Sequence, residues 1–171
     1  MRVSVIGGSS IDGETRAQAR EVGRLLGERG HTVVCGGRGG VMEAVCRGAC
    51  EPEQSEGSSR AGGDGGVASR EHDVETIGIL PTRRREDANE WVTTPIATDM
   101  GNARNPLVVL NGDAVIAVDG AAGTLSELGH ALDSGRPVAG LDTHDVDFDG
   151  FRAVNTPRAA VDYVESAVDQ R

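Results

Sequence analysis

The sequence predicts an α/β protein in three layers, with helices on both faces of a mostly parallel, doubly wound sheet of about six to seven strands. Three observations predict it. Short apolar runs of Val, Ile and Ala alternate along the chain with amphipathic stretches of helical period. The strand-like runs, such as "AVIAV" at residues 114–118, are apolar throughout, as strands buried on both faces are. Several strand exits are stripped to glycine and other small residues, which suits tight strand-to-helix corners.

The elements follow in order. Residues 2–6, "RVSVI", form a first strand. Asp12 caps a helix over residues 13–29, with Ala19, Val22 and Leu26 on one face and Gly30 as its stop. Residues 31–35 form the second strand, and after "GGRGG" a helix covers residues 41–49. Residues 51–73 break the rhythm. They are rich in Gly, Ser and acids and poor in large apolar residues, so they are expected to form a flexible surface insert. The third strand covers residues 74–81, and a polar connection with Arg83, Arg84 and Arg85 leads to a fourth at residues 92–98. "GNARNPLVVLNG", residues 101–112, reads as a helix with Pro106 in its first turn or bending it. The fifth strand, residues 114–118, precedes a helix whose Leu125, Leu128 and Leu132 are expected to face the core, with Ser126, Glu127 and His130 facing away. Residues 137–141 form the sixth strand, an acidic loop follows, and "FRAV" supplies a short seventh. Thr156 caps a last helix with Pro157 at its first position, burying Ala160, Val161, Val164 and Val168.

A length of 171 residues suits one domain with one core, and neither an internal repeat nor a domain linker interrupts it. Aromatic residues make up only 2%, so the core is built from Val, Ala, Leu and Ile. No apolar run approaches the ~18 residues of a membrane span. A strand begins at residue 2, so no export signal is expected and the expected location is cytoplasmic. The formal net charge of -10 argues against nucleic acid as a general partner. All 17 basic residues are Arg. An acidic chain without Lys fits a halophile's proteome, and it also fits a genome rich in G and C. Cys35, Cys46 and Cys50 are an odd number of thiols in a chain expected to stay inside the cell, which speaks against a disulfide framework. Cys46 and Cys50 share a helix face but lack a third and fourth ligand, so no metal is expected and small buried thiols are the reading.

Three corners carry the functional signal. They are Gly7-Gly8-Ser9-Ser10, Gly36-Gly37-Arg38-Gly39-Gly40 and Gly120-Ala121-Ala122-Gly123-Thr124. In a parallel sheet all three open on one edge, where ligands bind as the strand order reverses. Bare backbone and helix N-termini suit an anion there, so a phosphorylated ligand is expected. The first corner reads "GGSSID" rather than G-x-G-x-x-G, and the second strand ends without an acid, which disfavours NAD and FAD. Without Lys there is no P-loop. Arg104 and Glu127 lie near the same edge. Arginine holds phosphate bidentately, and a carboxylate accepts ribose hydroxyls or does acid/base work.

These motifs resemble those of the Rossmann-like superfamily that holds the lonely-guy phosphoribohydrolases, once misnamed lysine decarboxylases, and the molybdenum-cofactor carrier proteins. "DGAAGTLSE", residues 119–127, occupies the place of the hydrolases' P-G-G-x-G-T-x-x-E. Arg104-Asn105 occupies the place of their R-K pair, and "GGRGGVMEA" resembles their second glycine corner. "GNARN" and "GTLSE" resemble the carrier branch more closely. Asp119 stands for a Pro of the hydrolase motif, Ala121 for a Gly and Asn105 for the Lys.

The resemblance implies a Rossmann-like domain that binds a phosphorylated nucleotide-like or pterin-like small molecule. A molybdenum cofactor or a nucleoside monophosphate would be ligand rather than required cofactor. Gly7, Gly8, Ser9, Gly36, Gly37, Gly39, Gly40, Gly120, Gly123 and Thr124 would surround the phosphate, with Arg104, Asn105 and Glu127 beside it. In the enzyme alternative, Arg104 and Glu127 are catalytic in cleaving a base from ribose 5-phosphate. A ligand-regulated oligomeric scaffold is the third alternative. A homodimer or higher homo-oligomer is implied.

An acidic surface repels itself, and salt screens that repulsion. The melting temperature is therefore expected to rise from low salt to molar KCl. A flat or falling series would remove the halophile reading.

Overall fold

The computed structural model describes residues 1–51 and 74–170. The expectation of a flexible insert at residues 51–73 falls, apart from Glu51, outside the described residues. Among the described residues, seven strands form one parallel sheet: β1 (Arg2–Gly7), β2 (Thr32–Cys35), β3 (Thr76–Leu80), β4 (Thr94–Ala97), β5 (Ala114–Val118), β6 (Val138–Leu141) and β7 (Phe151–Val154). Their order is β4-β3-β2-β1-β5-β6-β7. It runs outward from β1 in one direction and reverses at β5, so the doubly wound arrangement expected from the sequence is present. β1 aligns Val3 with Val33 of β2 on one side and with Ala114 of β5 on the other.

Among the described residues, five α-helices cover the two faces: α1 (Gly13–Glu28), α2 (Val41–Cys50), α3 (Asn105–Leu110), α4 (Ala122–Asp133) and α5 (Pro157–Asp169). The alternation of side chains along each strand divides the core into two slabs. Val3, Val5, Val33, Cys35, Ile116 and Val118 pack with α1, α2 and α5. Ile6, Val34, Val115 and Ala117 pack with Val108 and Val109 of α3 and Leu128 and Ala131 of α4. Ser4 is buried and donates its hydroxyl to Val108 O at 2.7 Å, which fastens α3 to the centre of the sheet.

Local chemistry sets the helix starts. Asp12 Oδ1 accepts from Thr15 N at 2.8 Å, and the Thr156 hydroxyl accepts from Ala159 N at 3.2 Å, each satisfying an otherwise free amide. Pro157 sits in the first turn of α5, where no N–H is missed. The stretch at 101–112 is not one helix. It divides into a 3-10 turn (Gly101–Arg104) and α3, with Pro106 at the start of α3. Proline there has no amide to continue the ladder backward, so the chain changes helix type at Arg104.

The buried face of α4 also departs from expectation. Thr124, Glu127, Leu128 and Ala131 are buried, whereas Leu125 is 45% exposed and Leu132 is half-buried. The inner stripe follows the i, i+3, i+4, i+7 spacing but begins on Thr124, so Glu127 faces inward and Leu125 outward.

Cys35 and Cys46 are buried free thiols with sulfurs 3.5 Å apart, and Cys50 is half-buried with its thiol donating to Trp91 O at 3.6 Å. Among the described residues no group of three or more His, Cys, Asp or Glu is placed to hold a metal. No described helix is long and apolar enough to cross a membrane.

Helices α1 and α2 meet through glycine. A Cβ on Gly48 would collide with Arg20 O, and one on Gly23 with Val45 O, so the backbones touch. Gly48→Ala is expected to destabilise the protein by about 1–3 kcal/mol in urea unfolding, as overpacking does. Gly13→Ala is the control, because a methyl there meets nothing within 4 Å. Equal stability of the two variants would show that the helices part without cost.

Candidate functional site

The C-terminal strand ends bring the three corners to one edge, as the parallel topology requires. The corners do different things. Gly7 packs against Val118 O and the Val41 side chain. Gly37 (φ 74°) lies against Leu80 and Gly78, and Gly40 (φ 69°) against Gly8 and Ser9. Val41 N donates to Gly8 O at 2.9 Å, so the first two corners are joined to each other. Gly37 and Gly40 thus have structural duties that the sequence did not separate from ligand contact. Gly8 sits beside the Asp119 carboxylate, Gly120 (φ 136°) closes over the Thr124 side chain, and Ser9 is exposed. Gly39 and Gly123 are open by contrast. A methyl added at Gly39 would come no nearer than 3.8 Å to the Glu43 carboxylate and to Ser9 O, and one at Gly123 would meet nothing within 4 Å.

Arg104 and Glu127 meet at the centre. Arg104 is 7% exposed and Glu127 is 7% exposed. Arg104 Nη1 lies 3.3 Å from Glu127 Oε1 and donates to Asn105 Oδ1 at 2.6 Å. Arg104 Nη2 donates to Gly36 O at 3.4 Å. A Cβ on Gly36 would collide with that same Nη2, so glycine at this corner is what lets the guanidinium lie across the end of β2. Arg104 Nε is buried without a hydrogen-bond partner. Thr124 is buried beneath Gly120, one turn before Glu127.

Burial is the main influence on both charges. It raises the Glu127 carboxyl to about 7, against the opposing pull of Arg104. It also pulls Arg104 below its ordinary value, with Glu127 opposing the shift, and an arginine keeps its charge through such a change. Near neutral pH, therefore, Glu127 can hold or release a proton beside a permanent cation.

Ala121 is the N-cap of α4 and no side chain caps the helix, so its first amides lack a side-chain acceptor. The corner before it is held by residues that sequence reasoning missed. Thr143 donates its hydroxyl to Asp119 O at 2.7 Å, and His144 Nε2 donates to Ala121 O at 3.2 Å. Both come from the acidic loop after β6, in which the sequence pattern marks no functional residue. Asp119 itself takes φ 51°, a left-handed conformation in which Asp is one of the few tolerated side chains.

The fold and this edge define a Rossmann-like α/β protein with a buried charge pair between bare strand exits. The chain belongs to the SLOG cluster4 family, whose model matches residues 1–169. An uncharacterized protein of Archaeoglobus fulgidus is 39% identical over 167 residues, covering 98% of this chain and 96% of the relative. The solved molybdenum cofactor binding protein of the phototrophic bacterium Rippkaea orientalis is similar at a TM-score of 0.79 and 27% identity, over 98% of this chain and 96% of that one. A Moco carrier protein from Chlamydomonas reinhardtii shares the fold at a TM-score of 0.79 and 24% identity, over 99% of this chain and 98% of that one. The resemblance to this superfamily thus holds in family and in fold.

The raised Glu127 carboxyl has a stability consequence. Between its ordinary 4.5 and about 7, the folded chain holds a proton that the unfolded chain has lost. Stability from this group is full at low pH and is lost as pH rises through about 7. Relative to Glu127→Gln, the wild type is expected to lose up to about 3 kcal/mol across that window, read from urea unfolding at a series of pH values. Parallel profiles for the two proteins would show that Glu127 ionises normally.

Proposed function

We propose that this protein binds a phosphorylated nucleotide-like or pterin-like small molecule at the C-terminal edge of its sheet, in the manner of a carrier. The observation that carries the reading is the buried Arg104–Glu127 pair with Arg104 Nε left without a partner. A buried donor without an acceptor costs free energy, and a phosphate oxygen is an acceptor that relieves it. The uncapped start of α4 adds unpaired amides on the same edge. The likeness to proteins described as binding or carrying the molybdenum cofactor supports a ligand of that kind. Gly123 and Gly39, open at the edge, would admit the phosphate, while Asn105 accepts from Arg104 and holds it in place. The family resemblance and the exposed Leu110 and Leu125 on neighbouring helices support a homodimer or higher homo-oligomer.

One observation favours a second reading. A carboxyl near 7 beside an arginine suits acid/base work, so a nucleoside 5′-monophosphate phosphoribohydrolase is the alternative. Asn105 stands against it, because the hydrolase pattern has a Lys there.

A single set of measurements tests both. Calorimetry with AMP and adenosine on wild type and Arg104→Ala is expected to show AMP binding weakened by roughly ten-fold to a hundred-fold or more, with adenosine little changed. Equal losses for the two ligands would mean that Arg104 does not read phosphate. Chromatography of AMP, GMP, CMP and UMP after hours with the protein is expected to show little or no free base. Clear turnover by wild type that vanishes in Glu127→Gln would replace the carrier reading with the hydrolase.

A further inference from the structure

We infer that Arg38, Arg83 and Arg85 form a second anion subsite beside the Gly36–Gly40 corner, so that the ligand carries at least two phosphoryl groups, as a nucleoside diphosphate does. The inference rests on the phosphate reading of the edge and extends it.

The first support is position. Arg83, Arg84 and Arg85 follow β3, and Arg38 follows β2, its hydrogen-bonded neighbour in the sheet. All four are exposed. Hydrogen bonds clamp the arginine segment on both sides. Asn89 N donates to Gly37 O at 2.9 Å, and Asn89 Nδ2 donates to Arg38 O at 2.9 Å. On the other side, Thr98 N and Asp99 N donate to Thr82 O at 3.1 and 3.0 Å, and Gly101 N donates to Pro81 O at 2.9 Å. The arginines therefore lie between the second glycine corner and the chain that leads into Arg104.

The second support is charge. Glu86, Asp87 and Glu90 are the acids of the β3–β4 segment, and Asp87 takes Arg84 at 3.3 Å. A hydrogen bond from Thr82 holds the Asp87 carboxyl below the usual range, and the charges of Arg84 and Arg38 add to it. Arg38 and the β3–β4 segment thus share one electrostatic neighbourhood. Arg20 and Arg24 of α1, Arg29 at its end and Arg47 of α2 find carboxylates. Among the described residues, Arg38, Arg83 and Arg85 form no ion pair, in a chain whose 27 acids outnumber its 17 arginines.

The third support is the match between arginine and phosphate. The planar fork of arginine takes two phosphate oxygens at once. A small polyanion fits better than nucleic acid, which a net charge of -10 repels along its length.

The experiment is calorimetry of the full chain with inorganic phosphate, pyrophosphate, AMP and ADP at fixed ionic strength. In wild type, ADP is expected to bind about ten-fold or more tighter than AMP, and pyrophosphate tighter than phosphate. In Arg83→Ala/Arg85→Ala and in Arg38→Ala that gain should shrink, while AMP affinity holds. The gain should also fall as KCl rises, since exposed charges are screened. ADP no tighter than AMP in wild type, or a gain that survives the double variant, would overturn the inference and leave the first site standing. Failure of phosphate and AMP to bind at all would overturn the phosphate reading of the edge and this inference with it.

Discussion

Taking two charges out of water costs several kcal/mol per ion after the protein has relaxed, and Arg104 and Glu127 are both more than nine-tenths buried. Their mutual contact at 3.3 Å returns only part of that cost. The rest is offset by Asn105 and by the Gly36 carbonyl, which each take a guanidinium donor, and by Glu127 moving toward its neutral form. A pair of apolar side chains of similar volume would pack here at lower cost. The pair is thus a poor device for stability, and its location at the strand exits accords with a role in meeting a ligand.

The rest of the architecture keeps that pair in register. Arg104 is delivered by the 3-10 turn that precedes α3, and Glu127 by the inner stripe of α4. The two helices pack together on one face of the sheet with Leu128, Ala131, Val108 and Val109 between them. The Ser4 hydroxyl ties α3 to the central strand from beneath. Gly36 gives way to the guanidinium on one side, and Thr143 and His144 brace the third corner on the other. A core of Val, Ala, Leu and Ile, with hardly an aromatic ring, suffices because the sheet is covered on both faces and its helices approach to glycine contact.

Much of this was legible in the sequence, and the reason differs by element. The caps at Asp12 and Thr156 and the strands at β1, β2 and β5 follow from local chemistry and short apolar runs, which the chain carries on its face. The meeting of Arg104 and Glu127 followed from motif order within a parallel topology. What escaped was orientation. The leucines of α4 suggested a stripe through Leu125, Leu128 and Leu132; Leu128 is buried and Leu132 packs against the core, but Leu125 is exposed and the inner stripe includes Thr124 and Glu127. Periodicity read by hydrophobicity is misled where the buried face is itself polar. The glycines escaped in another way. Composition cannot tell Gly37 and Gly40, which serve packing, from Gly39 and Gly123, which stay open. The fastening of the β3–β4 segment by Asn89 is a long-range contact that no local pattern encodes.

The proton on Glu127 bears on the choice between carrying and cutting. A carboxylate that stabilises a cation-like transition state must be charged when that transition state forms. In the hydrolase pattern a Lys follows the Arg, and a second cation beside the carboxylate would favour its charged form. Here Asn105 is neutral and gives its oxygen to Arg104, so Arg104 alone opposes the effect of burial, and the carboxyl stays near 7. A phosphate bound as proposed would bring further negative charge and favour the protonated form still more. The neutral acid can donate a hydrogen bond to a ligand oxygen and leaves the Arg104 charge free for the phosphate. On the proposed carrier reading, Asn105 in place of Lys suits holding an anion in its ground state better than stabilising charge in a transition state.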